Sequence, residues 1–393
     1  AAVGGDGDVT ISGGTITATG GSLAAGIGGG LDGNGTVIIT DGDITAKATG
    51  RYGAGIGGGC GEIPKGTLIG GNGTVTISGG TITEASGGYM AAGIGSGYQG
   101  LGTVTIEGDA VIKNAQGGEA GAGIGSGTRG NSEIIIRGDA VIENAESKEN
   151  GAGIGSGQGD LYPDGDGMVI DLTVGNVTIE GNAKIENAKS GSGGSGIGGG
   201  VIGIGNVIIR GNAQIGNATG GEEGAGIGGG ALGTGDVTIE GNVTIENAQG
   251  GAGAAGIGGG AETQPDTEDT RNKVSIKSTE AGSPNITAKG GGVLNNEEAP
   301  LPGAAAIGSG SVADGATEVK SDITVEGKVT IDATSGGNVA IGDSTNGETR
   351  FSGLQVGTTI TRRNAKGDDV SQPGDVVREP EKPAQPTATP TAG

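Results

Sequence analysis

An all-β solenoid of about ten coils, each near 30 residues and carrying three short strands, is the fold this chain predicts. The first observation is a recurring glycine-rich stretch. Residues 121–127 read Gly-Ala-Gly-Ile-Gly-Ser-Gly. Versions of it centre on Ile27, Ile56, Ile94, Ile124, Ile154, Ile197, Ile227, Ile257 and Ile307, with a degraded copy at Ile341. The steps between these isoleucines are 29, 38, 30, 30, 43, 30, 30, 50 and 34 residues. A unit that lengthens but hardly shortens marks a stack of coils, in which loops tolerate insertion and the repeated framework does not. The second observation is a recurring Val-Thr-Ile triplet, apolar at its ends and polar between, the pattern of a strand with one buried face.

The third observation concerns how the coils stack. The residue after the first strand is Glu107, Arg137, Glu180, Arg210, Glu240, Lys277 and Glu326 in successive units, so the sign alternates at every step. Neighbouring strands lie about 4.8 Å apart, where opposite charges attract and like charges repel. Parallel coils in register explain the alternation directly.

In the fourth unit the three strands are Val104-Thr105-Ile106, Ala110-Val111-Ile112 and Ala122-Gly123-Ile124. Glycine-rich corners separate them, and no stretch has the apolar spacing of a helix. Asn114, Asn144, Asn187, Asn217 and Asn247 recur just past the second strand. Asparagine tolerates left-handed backbone and bonds through its amide, so these residues are expected to bond to one another up the stack. The first three units lack this asparagine, which predicts a change of cross-section near residue 100. In the third strand, placing Ala122, Ile124 and Ser126 inward leaves Gly123, Gly125 and Gly127 outward. Either tight local geometry requires those glycines, or they form a flat face for lateral self-association. Extra chain at 60–70, 158–175, 261–273 and 311–322 falls at one corner, the usual place for a binding edge. The β-helix is expected to span 1–363, and the Pro- and Thr-rich 364–393 reads as an extended linker.

Composition narrows the function. The net charge is −23, which excludes nucleic acid as a natural partner because phosphate binding needs a basic surface. Histidine, the usual general base and a common zinc ligand, is absent. The lone cysteine, Cys60, can form no internal disulfide, and no apolar run is long enough to predict a transmembrane segment. The chain opens inside a repeat without a signal peptide and reads as a trimmed or mature piece.

The units Val9 to Gly30 (VTISGGTITATGGSLAAGIGGG) and Val75 to Gly97 resemble glycine-rich repeats in secreted and surface-attached proteins of Gram-positive bacteria. Some of these are grouped with carbohydrate-binding β-helix proteins, relatives in fold of pectate lyases. The resemblance covers about residues 4–345. It implies a right-handed parallel β-helix, an extracellular location at the bacterial surface, and polysaccharide binding with calcium.

Two sets of residues stand out at the decorated corner. Tyr98, Arg129, Asp160 and Tyr162 come from three adjacent units and offer the aromatic face and polar groups that hold sugars; plain loop packing is the alternative. Tyr52 and Tyr89, two of only four tyrosines, precede third strands nearby. The loop Asp160-Leu-Tyr-Pro-Asp164-Gly-Asp166-Gly presents three carboxylates, Asp160, Asp164 and Asp166, a chemistry suited to calcium; a solvated acidic turn is the alternative. Asp32-Gly-Asn34-Gly is a weaker version. No unit carries a clustered catalytic set. The leading expectation is therefore a non-enzymatic adhesion or carbohydrate-binding stalk whose partner is a polysaccharide or cell-surface glycan. A polysaccharide lyase or glycoside hydrolase is the second reading. An ice-binding solenoid is the third, suggested by Thr10, Thr76, Thr105, Thr178 and Thr238 and weakened by Ile135 and Ile208 in the same row.

Overall fold

The computed structural model describes residues 5–63, 67–164, 167–262, 271–293, 303–311, 320–337, 339–342 and 349–377. They form a right-handed parallel β-helix with no helical element among them. One sheet of 21 strands carries the first two walls of every coil, and a narrow sheet of ten two-residue strands carries the third. The first-wall register never slips between the coils' apolar positions. Val9 opposes Val37, which opposes Val75, then Val104, Ile134, Val177, Val207, Val237, Val274 and Ile323. Branched side chains pack well on such a pleated surface, and from the second coil onward they are essentially buried. Aromatic residues contribute nothing to this described core.

Stacking places the alternating charges in contact. Arg137 reaches Glu107, Arg210 reaches Glu180 at 2.6 Å, and Lys277 reaches Glu326 at 3.2 Å. The middle row of the same face runs Thr10, Ile38, Thr76, Thr105, Ile135, Thr178, Ile208, Thr238. Ile38 thus adds a third interruption to the threonine row, and Ile38, Ile135 and Ile208 are each about 40% exposed.

The second wall is longer than its apolar pattern predicts. It runs Val141–Ser147, Lys184–Ser190 and Gln214–Thr219 in three successive coils. Asn144, Asn187 and Asn217 therefore lie inside the strand, not past it. Ile142 and Ala145 both face inward although three residues apart, with Glu143 and Asn144 between them turned toward solvent. That break in the two-residue period conceals the strand in the sequence. The amides do bond up the stack: Asn187 donates to the Asn144 side chain at 3.2 Å, Asn217 to Asn187 at 3.1 Å and Asn247 to Asn217 at 3.3 Å. Asn144 and Asn187 also donate to the backbone carbonyls of Lys113 and Glu143. A second amide column runs Asn242 to Asn212 to Asn182 and ends on Asp139.

The third wall is barely a strand. Ala122 N–H donates to the Ser126 carbonyl at 2.9 Å, closing a tight turn whose tip, Ile124, plugs the core. The same bond closes the turns at Ala54–Gly58, Ala92–Ser96, Ala152–Ser156 and Ala225–Gly229. The expectation that Gly123, Gly125 and Gly127 face outward is corrected here. All three are buried. A Cβ on Gly123 would sit 2.6 Å from the Glu146 nitrogen, and one on Gly125 would overlap the Gly155 carbonyl oxygen. Gly125 also adopts φ +138°, closed to other residues. The turn needs these glycines, and they offer no flat face for lateral self-association.

Two of the insertions fold as antiparallel hairpins on the coil corner: Cys60–Ile63 with Thr67–Gly70, and Asp160–Asp164 with Gly167–Asp171. Most of the other two lies outside the described residues.

At the far end, Thr349–Ser352 and Thr359–Arg363 continue the first and second walls. The expected linker does not begin at 364. Residues 364–377 fold back onto the last coil, with antiparallel bridges Thr359 to Val376 and Arg363 to Asp369. Arg362 grips Asp375 through two 2.9 Å bonds, with the pair only 7% and 3% exposed. This buried ion pair, together with backbone bonds such as Ile360 N–H to the Asp375 carbonyl and Val377 N–H to the Thr358 carbonyl, holds a segment whose polar, Pro-containing composition reads as linker. Residues 378–393 lie outside the described residues.

Candidate ligand-binding corner

Six of the coils leave the third-wall turn through one residue in left-handed conformation, five positions after the isoleucine. These are Asp32, Gln99, Arg129, Ile202, Leu232 and Glu262, with φ between 56° and 62°. Side chains avoid this region at a cost of about 1–2 kcal/mol. Here each N–H is committed to the next coil, as in Gln99 to the Thr128 carbonyl at 2.8 Å and Arg129 to the Gln158 carbonyl at 2.7 Å. The rigid corner aims the Arg129 side chain.

The segments entering and leaving the third-wall turns also touch one another. Tyr98 N–H donates to the Tyr52 carbonyl at 3.1 Å, Met90 N–H to Arg51 at 2.7 Å, and Thr128 N–H to Met90 at 2.9 Å. This weave brings three of the four tyrosines together. The rings of Tyr52 and Tyr98 meet edge to face with centroids 5.5 Å apart. The Arg51 guanidinium lies 5.6 Å from the Tyr52 centroid and 5.4 Å from that of Tyr89, within cation–π reach of both.

The expected group is partly assembled. Arg129 donates to the Tyr98 hydroxyl at 3.4 Å and forms an ion pair with Asp160; its Nε lies 3.9 Å from Asp171, which opposes Asp160 across the hairpin. Burial depresses the Arg129 pKa, but Tyr98 and Asp160 outweigh it, and the net shift is upward. Arg129 therefore stays charged. Tyr162 and Asp164 are described as backbone within the hairpin, opposite Val169 and Gly167. Asp166 lies outside the described residues.

The calcium expectation meets an obstacle at Asp160. Its carboxylate already faces a guanidinium, and a cation there would be repelled by that charge. Among the described residues no group of three or more acidic, histidine or cysteine side chains could hold a metal ion. The side chains of the other two expected ligands, Asp164 and Asp166, lie outside the described residues.

A cavity of about 160 Å³ opens beside the cluster, lined chiefly by Tyr89, Tyr98, Glu119, Glu149, Asn150 and Asp160. Asn150 donates to Gln158 at 3.2 Å on its wall. A hydrogen bond to Glu119 and the charge of that carboxylate, with a smaller effect from Glu149, raise the Tyr89 pKa above the ordinary tyrosine value. Glu119 and Glu149 escape a reading by motif because they come from different units and form no local cluster together. Their one sequence signal is position: both occupy the segment entering the third-wall turn, as Tyr89 does one coil earlier.

Among known proteins, the family described as a beta helix repeat matches residues 9–31, 37–60 and 75–98. Those stretches run from the first strand to the third-wall turn of the first three coils. No curated protein and no solved structure matches the chain. The matched repeats and the ten stacked rungs together make this chain a parallel β-helix protein.

Proposed function

We propose that this β-helix is a non-enzymatic carbohydrate-binding module of the bacterial cell exterior, serving as an adhesion stalk with its ligand seated at the tyrosine corner. One observation carries the reading. In a chain with four tyrosines, three gather at one edge beside a cavity lined by carboxylates and amides. Sugars are bound by an apolar ring face together with directed polar groups, and this corner supplies both. The stacked coils give a rigid support, which limits the ordering cost of binding.

A glycan array probed with the protein, with and without calcium, tests the proposal. Binding of a defined glycan that is lost in Tyr98→Ala, with thermal stability retained, supports it. An array without signal in either condition overturns it. Dependence on calcium would give Asp164 and Asp166 a role that Asp160 alone does not have. Cleavage is the second reading, favoured by Glu119 and Glu149 lining one cavity, since glycoside hydrolysis needs paired carboxylates. New reducing ends released from a bound polymer would establish it.

A further inference from the structure

We infer that the sugar taken at this corner is cationic, a protonated amino sugar such as glucosamine within a de-acetylated polymer. The inference rests on the glycan-binding reading above and adds the ligand's charge. Three carboxylates line the cavity, Glu119, Glu149 and Asp160, and among the described residues no lysine or arginine does. The two nearby cations are otherwise engaged. Arg129 is held by Asp160, and Arg51 lies against the Tyr52 and Tyr89 rings.

The aromatic groups suit the same charge. Arg51 already packs on one of the two cavity-lining rings, that of Tyr89, as well as on Tyr52. The Tyr89 and Tyr98 rings line the same cavity as the carboxylates, and rings and carboxylates together attract a desolvated cation. The raised Tyr89 pKa follows from the same carboxylates, first from the Glu119 hydrogen bond and charge and then, after burial, from Glu149, against the opposing charge of Arg51. Asn150 and Gln158 add amide groups for ring hydroxyls. Size limits the ligand further. The cavity is about 160 Å³, below the roughly 300–1,000 Å³ of pockets that engulf a drug-sized molecule. One sugar residue enters, and the rest of the polymer lies along the coil surface.

The test is calorimetric titration of the intact protein with a glucosamine tetramer, its N-acetylated counterpart and tetralysine, at about pH 6, where carboxylates and amine are all charged. The glucosamine tetramer is expected to bind at least about tenfold more tightly than the acetylated one. Exchanging both Glu119→Gln and Glu149→Gln should weaken it about five- to tenfold without lowering the unfolding temperature. Equal affinity for the two tetramers rejects the amine selectivity and leaves the glycan site standing. Failure of the glucosamine tetramer alone, with neutral glycans bound on the array, rejects it in the same way. Failure of every glycan rejects both readings. Tetralysine binding as tightly as the amino sugar overturns the inference as well, because charge without a sugar ring would then suffice.

Discussion

Arg137 lies 30 residues beyond Glu107 in the chain, yet its Nε and Nη2 atoms sit 2.7 and 2.5 Å from the Glu107 carboxylate. Only coils stacked in parallel register bring the two together. The pair is partly exposed, so its energy is modest, about 0.2–1 kcal/mol. Glu107→Lys should lower stability by about that amount, and the further exchange Arg137→Glu should recover most of it. Urea unfolding of the four combinations measures the coupling, and strict additivity would contradict the contact.

Glycine at the third-wall turn carries a far larger consequence. Gly125→Ala combines a φ of +138° with a side chain driven into the Gly155 carbonyl. Backbone strain alone costs about 1–3 kcal/mol, and the overlap adds to it. A fall in thermal stability of about 3 kcal/mol or more is expected. Gly21→Ala, where nothing lies within 4 Å, should change stability by less than about 0.5 kcal/mol.

The end of the stack depends on Arg362 and Asp375. Removing one partner of a buried pair leaves an uncompensated charge, at a cost of about 3–5 kcal/mol. In Arg362→Ala the segment 364–377 should detach, and amide exchange should quicken at Ile360 and Val377, whose N–H groups bond within this cap. The Ile124 amide, mid-stack, should keep its protection.

At the corner, the hydrogen bond and charge of Glu119 raise the Tyr89 pKa. Because the folded value lies above the unfolded one, any stabilisation from this contact is present below the ordinary tyrosine pKa. It is lost as pH rises through the folded value. Phenolate absorbance across an alkaline titration should show one tyrosine ionising late. In Glu119→Gln that ionisation should move back toward the ordinary range.

Much of the fold was legible because stacking writes itself into the sequence as repetition. The isoleucine spacing, the Val-Thr-Ile triplets and the alternation from Glu107 to Arg137 to Glu180 each report coil on coil. What escaped is geometry that periodicity does not encode. The second wall hides behind the consecutive outward residues Glu143 and Asn144, and the third wall is a turn whose glycines face neighbouring backbone. The segment after Arg363 reads as linker because its contacts, the Arg362 to Asp375 pair among them, join polar residues that carry no apolar period. The corner was visible in part. Tyr98, Arg129 and Asp160 share an edge by their position in the repeat, whereas Glu119 and Glu149 join them only through the weave of entering and leaving segments.

The most direct measurement is nuclear magnetic resonance of protein labelled in its tyrosine rings, of which there are four, during titration with a glycan identified on the array. The ring signals of Tyr89 and Tyr98 should shift together and saturate at the affinity found by calorimetry, with Tyr52 following through its contact with Tyr98. A glycan that binds while all three rings stay unmoved would show that the tyrosine corner is not its site.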